Sequence, residues 1–217
     1  MDALQQLRRR NQRQKSDVAQ KLVAMCLHEL SARIVDQRPD LRVESDAYIT
    51  AVRSAFGDAC AFCAAELGKD THVEHLDAMN RVRGGLHVAG NVVLACKNCN
   101  NQKRNDDRGR HDLELTGESG WDRFLSHDGS LCESGCKSCA YWRELFPRAD
   151  LRSAHLASRL ELLRRFRSQF GADQLAVPAR AIVADLEELY RAWQQAAEDA
   201  TDRFADAAAG RILGDLR

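Results

Sequence analysis

Residues 60–103 read CAFCAAELGKDTHVEHLDAMNRVRGGLHVAGNVVLACKNCNNQK, and two Cys-x-x-Cys pairs, Cys60/Cys63 and Cys96/Cys99, open and close most of that stretch. Four thiolates in two short knuckles are the donor set of a structural zinc ion, which takes soft ligands in a tetrahedron and needs no large apolar core around them. Between the knuckles, Thr71 to Leu76 has strand character, Asn80 to Gly90 reads as a loop, and Val92-Val93-Leu94 is a short apolar run. The second knuckle leads into a helix that carries Asn100 and Lys103. The expected unit is ββα, small enough to need its metal in order to fold.

The order Glu74-His75, Gly84-Gly85, Asn91, then Cys96-x-x-Cys99-Asn100-x-x-Lys103 resembles the HNH, or ββα-metal (His-Me finger), endonuclease family over this stretch. The resemblance implies His75 as general base, Glu74 and Asn100 as ligands of a catalytic magnesium or manganese ion, and Asn91 as the side chain that braces the loop against the first strand. The chemistry agrees with the residue types. Phosphodiester hydrolysis must deprotonate water on one side and neutralise charge on the other. An imidazole titrates near working pH, and carboxylate and amide oxygens are hard donors suited to those cations. Adjacent strand residues point to opposite faces, so Glu74 and His75 share one site only where the strand ends or is distorted. Two departures from the family pattern are Glu74 in place of the commoner aspartate and the lack of a proline shortly after His75.

Basic residues next to the motif, Lys97, Lys103, Arg104, Arg108 and Arg110, read as phosphate-positioning contacts to DNA, with an ordinary charged helix face as the alternative. His72 and His87 flank the motif and read as solvated loop residues, with contact to phosphate or metal as the alternative. A second group, His127, Cys132, Cys136 and Cys139, has spacings that suit another zinc, with free buried thiols as the alternative. Trp121, Phe124, Tyr141, Trp142 and Phe146 around it read as core.

The fold class that follows is mainly α with a small α+β core, the zinc-stapled ββα unit being flanked by amphipathic helices. We divide the 217 residues into an N-terminal helical region (1–56), the nuclease-like core (57–110), a Cys-rich subdomain (111–150) and a C-terminal helical hairpin or arm (151–217). A first helix is expected from about Asp2 to Asp36, and a second, capped by Ser45 and Asp46, up to Gly57. Two more are expected from Leu151 to Phe170 and from Ala179 to Leu216, separated by Gly171 and Pro178. The last carries enough apolar and alanine surface to fold back on the first helix, to form a homodimer or to dock a partner.

The charge balance, 32 basic against 32 acidic residues, excludes a polycationic coat protein and leaves DNA affinity to local patches. No segment is apolar and long enough for a membrane span or signal peptide. A cytoplasmic location is expected, in which eight cysteines serve metals better than disulfides. Size and helical appendages resemble nuclease subunits of bacterial antiphage defence systems that work with a partner ATPase or motor complex. The alternatives are a stand-alone restriction or homing-type nuclease and a non-catalytic, zinc-dependent DNA-binding or adaptor module.

Overall fold

The computed structural model describes residues 3–107, 120–127 and 136–215. Helix α1 (Ala3–Gln37) buries Ala19, Val23, Leu27 and Ser31 in one stripe, four residues apart, which is the spacing that keeps side chains on a single helix face. A short 3-10 turn (Pro39–Leu41) leads to α2 (Asp46–Phe56). Its cap is the one expected: Ser45 Oγ accepts from the backbone N–H of Tyr48 at 3.2 Å. Gly57 closes it at φ +63°, a conformation that side-chain-bearing residues rarely adopt.

Strands β1 (Thr71–His75) and β2 (Val92–Cys96) pair antiparallel, with Thr71 opposite Cys96, Glu74 opposite Val93 and His75 opposite Val92. Helix α3 (Lys97–Asp107) follows directly and completes the ββα unit. Two strands alone are marginal, and here helices hold them from outside. The Tyr48 hydroxyl of α2 donates to the Val92 carbonyl and accepts from the Gly90 N–H. From the other side, Arg159 donates to the Cys60 and Ala61 carbonyls of the first knuckle.

Helices α4 (Gly120–Leu125) and α5 (Lys137–Leu145) pack on α3, and α6 (Ala149–Gln169) covers them. Trp121, Phe124 and Trp142 are buried, as their core reading requires. The chain then forms α7 (Ala172–Ala181) and α8 (Val183–Asp215). One expectation is corrected here: Pro178 lies inside α7, and the last long helix begins after Ile182. Gly171, at φ +63°, ends α6, and a helix restarts at once. A proline forfeits one backbone bond and crowds the preceding turn, a local penalty that does not prevent a ten-residue helix. Of the three fates open to the last helix, α8 takes the first: it packs along α1 and buries Leu186 and Tyr190. Among the described residues, no helix is long and apolar enough to cross a membrane.

Candidate active site and zinc centre

The two knuckles bring Cys60, Cys63, Cys96 and Cys99 together with all four sulfurs within 4.8 Å of one another. Cys63 Sγ and Cys96 Sγ are 3.8 Å apart. Zinc–sulfur bonds of about 2.3 Å in a tetrahedron give an edge of about 3.8 Å, so the donor set and its spacing fit zinc. Crowding of the sulfurs splits their proton affinities. The Cys60 thiol is pushed down, first by its hydrogen bond with Cys63 and next by that with Cys99. Cys63 and Cys99 are pushed up, first by their bonds with Cys60. A bound cation removes that conflict, since it stabilises all four as thiolates.

His75 is the last residue of β1, and its ring turns toward the loop that joins the two strands. Its Nε2 lies 2.9 Å from Nδ1 of His87. His87 is held in turn: its backbone N–H donates to Ser31 Oγ on α1 at 2.9 Å, and its Nε2 faces Glu44 Oε1 at 3.7 Å. The ring of His28, also on α1, is centred 6.5 Å from that of His75 and 5.5 Å from that of His87. Burial first, and then the neighbouring His87, Lys103 and His28, push the His75 imidazole down to about 3. His75 is therefore neutral at ordinary pH, the form in which it can accept a proton.

Glu74 points elsewhere. Its carboxylate is buried and accepts from the Lys103 ammonium at 2.8 Å, while the same ammonium donates to the His75 carbonyl at 2.9 Å. Lys103 is fully buried, so the expectation that it contacts phosphate is corrected. A long apolar stem on α3 lets this ammonium reach the sheet, and the charge it meets there justifies its burial. The same pair bears on the magnesium or manganese expected at Glu74 and Asn100. Asn100 is buried on α3, and the Glu74 carboxylate is paired with the Lys103 ammonium. Adjacent positions on a regular strand diverge, and Glu74 and His75 follow that rule.

Asn91 ties the two ends of the inter-strand loop together. Its Oδ1 accepts from the Asp77 N–H at 2.8 Å, and its Nδ2 donates to the carbonyls of Asp77, at 3.1 Å, and Leu86, at 2.7 Å. Arg167 of α6 joins this brace from 76 residues away, donating to Asn91 Oδ1 at 3.0 Å and to Asp77 Oδ2 at 2.8 Å. Gly85 is obligatory beneath it, because a Cβ there would stand 1.8 Å from the Asp77 carbonyl oxygen. The loop that presents His87 is thus tied to the strand end that presents His75.

Of the remaining expected residues, Lys97 is exposed on the first turn of α3, and Arg104 lies farther along it. Arg108, Arg110 and Cys132 lie outside the described residues. His127, Cys136 and Cys139 come together in a second cluster. Sequence reasoning missed His28 and Arg167, and it misread His87 as solvated. The only local signal for His87 was its place two residues after the glycine pair. Arg167 left none, being one arginine among many on a helix. Comparison with curated proteins and with solved structures returns no match. Residues 60–106, the knuckles and the ββα unit that carries His75, match the family model described as HNH endonuclease.

Proposed function

We propose that the protein hydrolyses DNA phosphodiester bonds, with His75 as general base. The observation that supports this most is the His75–His87 pair at the end of β1, inside the segment that matches the HNH endonuclease family. For His75 to act as a base, one ring nitrogen must carry a lone pair toward water. Its Nε2 then donates to His87 Nδ1, which leaves Nδ1 of His75 as the acceptor, and the His87 proton resides on Nε2 facing Glu44. His87 is a positioning residue in this scheme. It fixes the tautomer and orientation of His75. An imidazole pushed down to about 3 is a weak base by itself. A phosphodiester anion at the site raises its proton affinity, because an adjacent negative charge favours the protonated ring.

Lys103 keeps the His75 backbone fixed, and Asn91 with Arg167 keeps the loop from drifting. Such positioning matters at the scale of an ångström. Lys97 and Arg104 on α3, with Arg108 beyond it, supply sequence-independent phosphate attraction in this reading. Metal dependence is what the resemblance to the HNH endonuclease family implies. A cation held by Glu74 and Asn100 would share the Glu74 carboxylate with Lys103. A role in antiphage defence with an ATPase or motor partner rests on size and helical appendages, and the neighbouring genes are the observation that bears on it.

The test is incubation of zinc-loaded protein with matched DNA duplex, DNA single strand and RNA, with magnesium or manganese supplied. The expected result is endonucleolytic cleavage of DNA. Retardation of DNA with no cleavage under any cation would contradict the proposal and favour a zinc-dependent DNA-binding module.

A further inference from the structure

We propose that His127, Cys136 and Cys139 form a second zinc site, and that this site fixes α5 against the first zinc centre. His127 Nδ1 lies 3.4 Å from Cys136 Sγ and 3.6 Å from Cys139 Sγ. All three donor atoms fall within 4.8 Å of one another. A zinc ion with bonds of about 2.0–2.1 Å to nitrogen and about 2.3 Å to sulfur has a nitrogen–sulfur edge of about 3.6 Å in a tetrahedron. The observed spacings match that edge. One imidazole nitrogen has one lone pair or one proton, so it cannot accept from two thiols. A cation at the common point takes a lone pair from each of the three groups, and a mixed thiolate and imidazole set suits zinc.

The first centre provides an internal standard. There the Cys99 N–H donates to Cys96 Sγ at 3.5 Å, and here the Cys139 N–H donates to Cys136 Sγ at 3.5 Å. Each pair straddles the start of a helix, Cys96 and Cys136 standing just before α3 and α5 and Cys99 and Cys139 on their first turns. The second cluster therefore repeats the backbone of a zinc knuckle as well as its residue types. His127 and Cys139 are both less than 5% exposed, and Cys136 is half-buried. Three protein donors leave one tetrahedral position, which water or a further side chain fills.

The two centres are joined by α5. This helix has nine residues, too few to hold its shape alone. It carries Tyr141, whose hydroxyl lies 3.1 Å from Cys99 Sγ. With Cys99 bound to zinc as a thiolate, the hydroxyl must be the donor. A zinc clamp on the first turn of α5 thus holds a hydrogen bond on a ligand of the other zinc, and outer partners of this kind tune metal affinity by about 10–100-fold.

The experiment is native mass spectrometry with elemental analysis of the full chain, followed by timed zinc loss to a chelator. Two zinc ions per chain are expected for the parent. His127→Ala and Cys139→Ser should each retain one, and that one should leave about 10-fold faster or more. Tyr141→Phe should keep both while the first centre also releases faster. One zinc in the parent overturns the proposed site, and this reading does not depend on whether the variants fold. Two zincs in the parent, with release from the first centre unchanged by Tyr141→Phe, overturn the link through α5.

Discussion

At His75 the imidazole leaves water without gaining a carboxylate, and its neighbours are two further imidazoles and an ammonium. Its folded-state value of about 3 lies below the ordinary 6.5, so the unfolded chain takes up its proton first as pH falls. The stability that His75 contributes is fully present above about 6.5 and is lost progressively toward about 3. His87 and His155 shift in the same direction, burial being the first cause in each. Denaturant midpoints should therefore fall between pH 7.5 and 5, and less steeply in His75→Gln than in the parent; equal slopes would contradict the assignment. Lys103 gives a second residue-scale prediction. Lys103→Met leaves the buried Glu74 carboxylate without its ammonium and should destabilise the protein by about 3–5 kcal/mol, whereas Glu74→Gln combined with Lys103→Met should recover much of the loss. Chemical denaturation of the three variants checks this, and a neutral single substitution would show that the pair is not formed. The cysteine pairs were legible in the sequence because their spacing carries the signal, whereas Asn91 was singled out only through the family resemblance. The Glu74–Lys103 pair was not, because a lysine seven residues into a helix usually stays in water.

Among the elements, the loop from Leu76 to Asn91 connects the strands and presents His87, and part of its support comes from outside the ββα unit. Arg167 supplies three separate donor bonds, to Asp173, Asp77 and Asn91, and stacks 5.5 Å from the Trp121 ring. Arg167→Met should lower the thermal midpoint and slow any nuclease activity while zinc content stays unchanged. Arg167→Lys should fall between the two, since a point ammonium cannot reproduce a planar fork of donors. Full activity in Arg167→Met would show that α6 does not support the loop. Helix positions were legible from periodicity and caps, as at Ser45 and Gly57. The break near Pro178 was misplaced because the proline rule ranks local propensity above the packing of neighbouring helices. The support of the loop by α6 was not legible, since nothing local marks a partner so far along the chain.

For the whole molecule, a sequence with balanced charge folds its two longest helices, α1 and α8, against each other and delivers His28 and Ser31 from α1 to the edge of the site. Helix α1 is therefore part of the surroundings of His75. Phe204 on α8 remains 71% exposed, a single apolar side chain of the kind that ordinary surfaces carry. The central claim is that this assembly is a nuclease whose base is His75. The measurement that tests it most directly is the single-turnover rate of DNA cleavage by His75→Ala, with zinc content and DNA affinity matched to the parent. General-base assistance is worth about two to four orders of magnitude, so a rate lower by at least about 100-fold is expected. Cleavage at the parental rate by a folded, zinc-loaded His75→Ala protein would contradict the account.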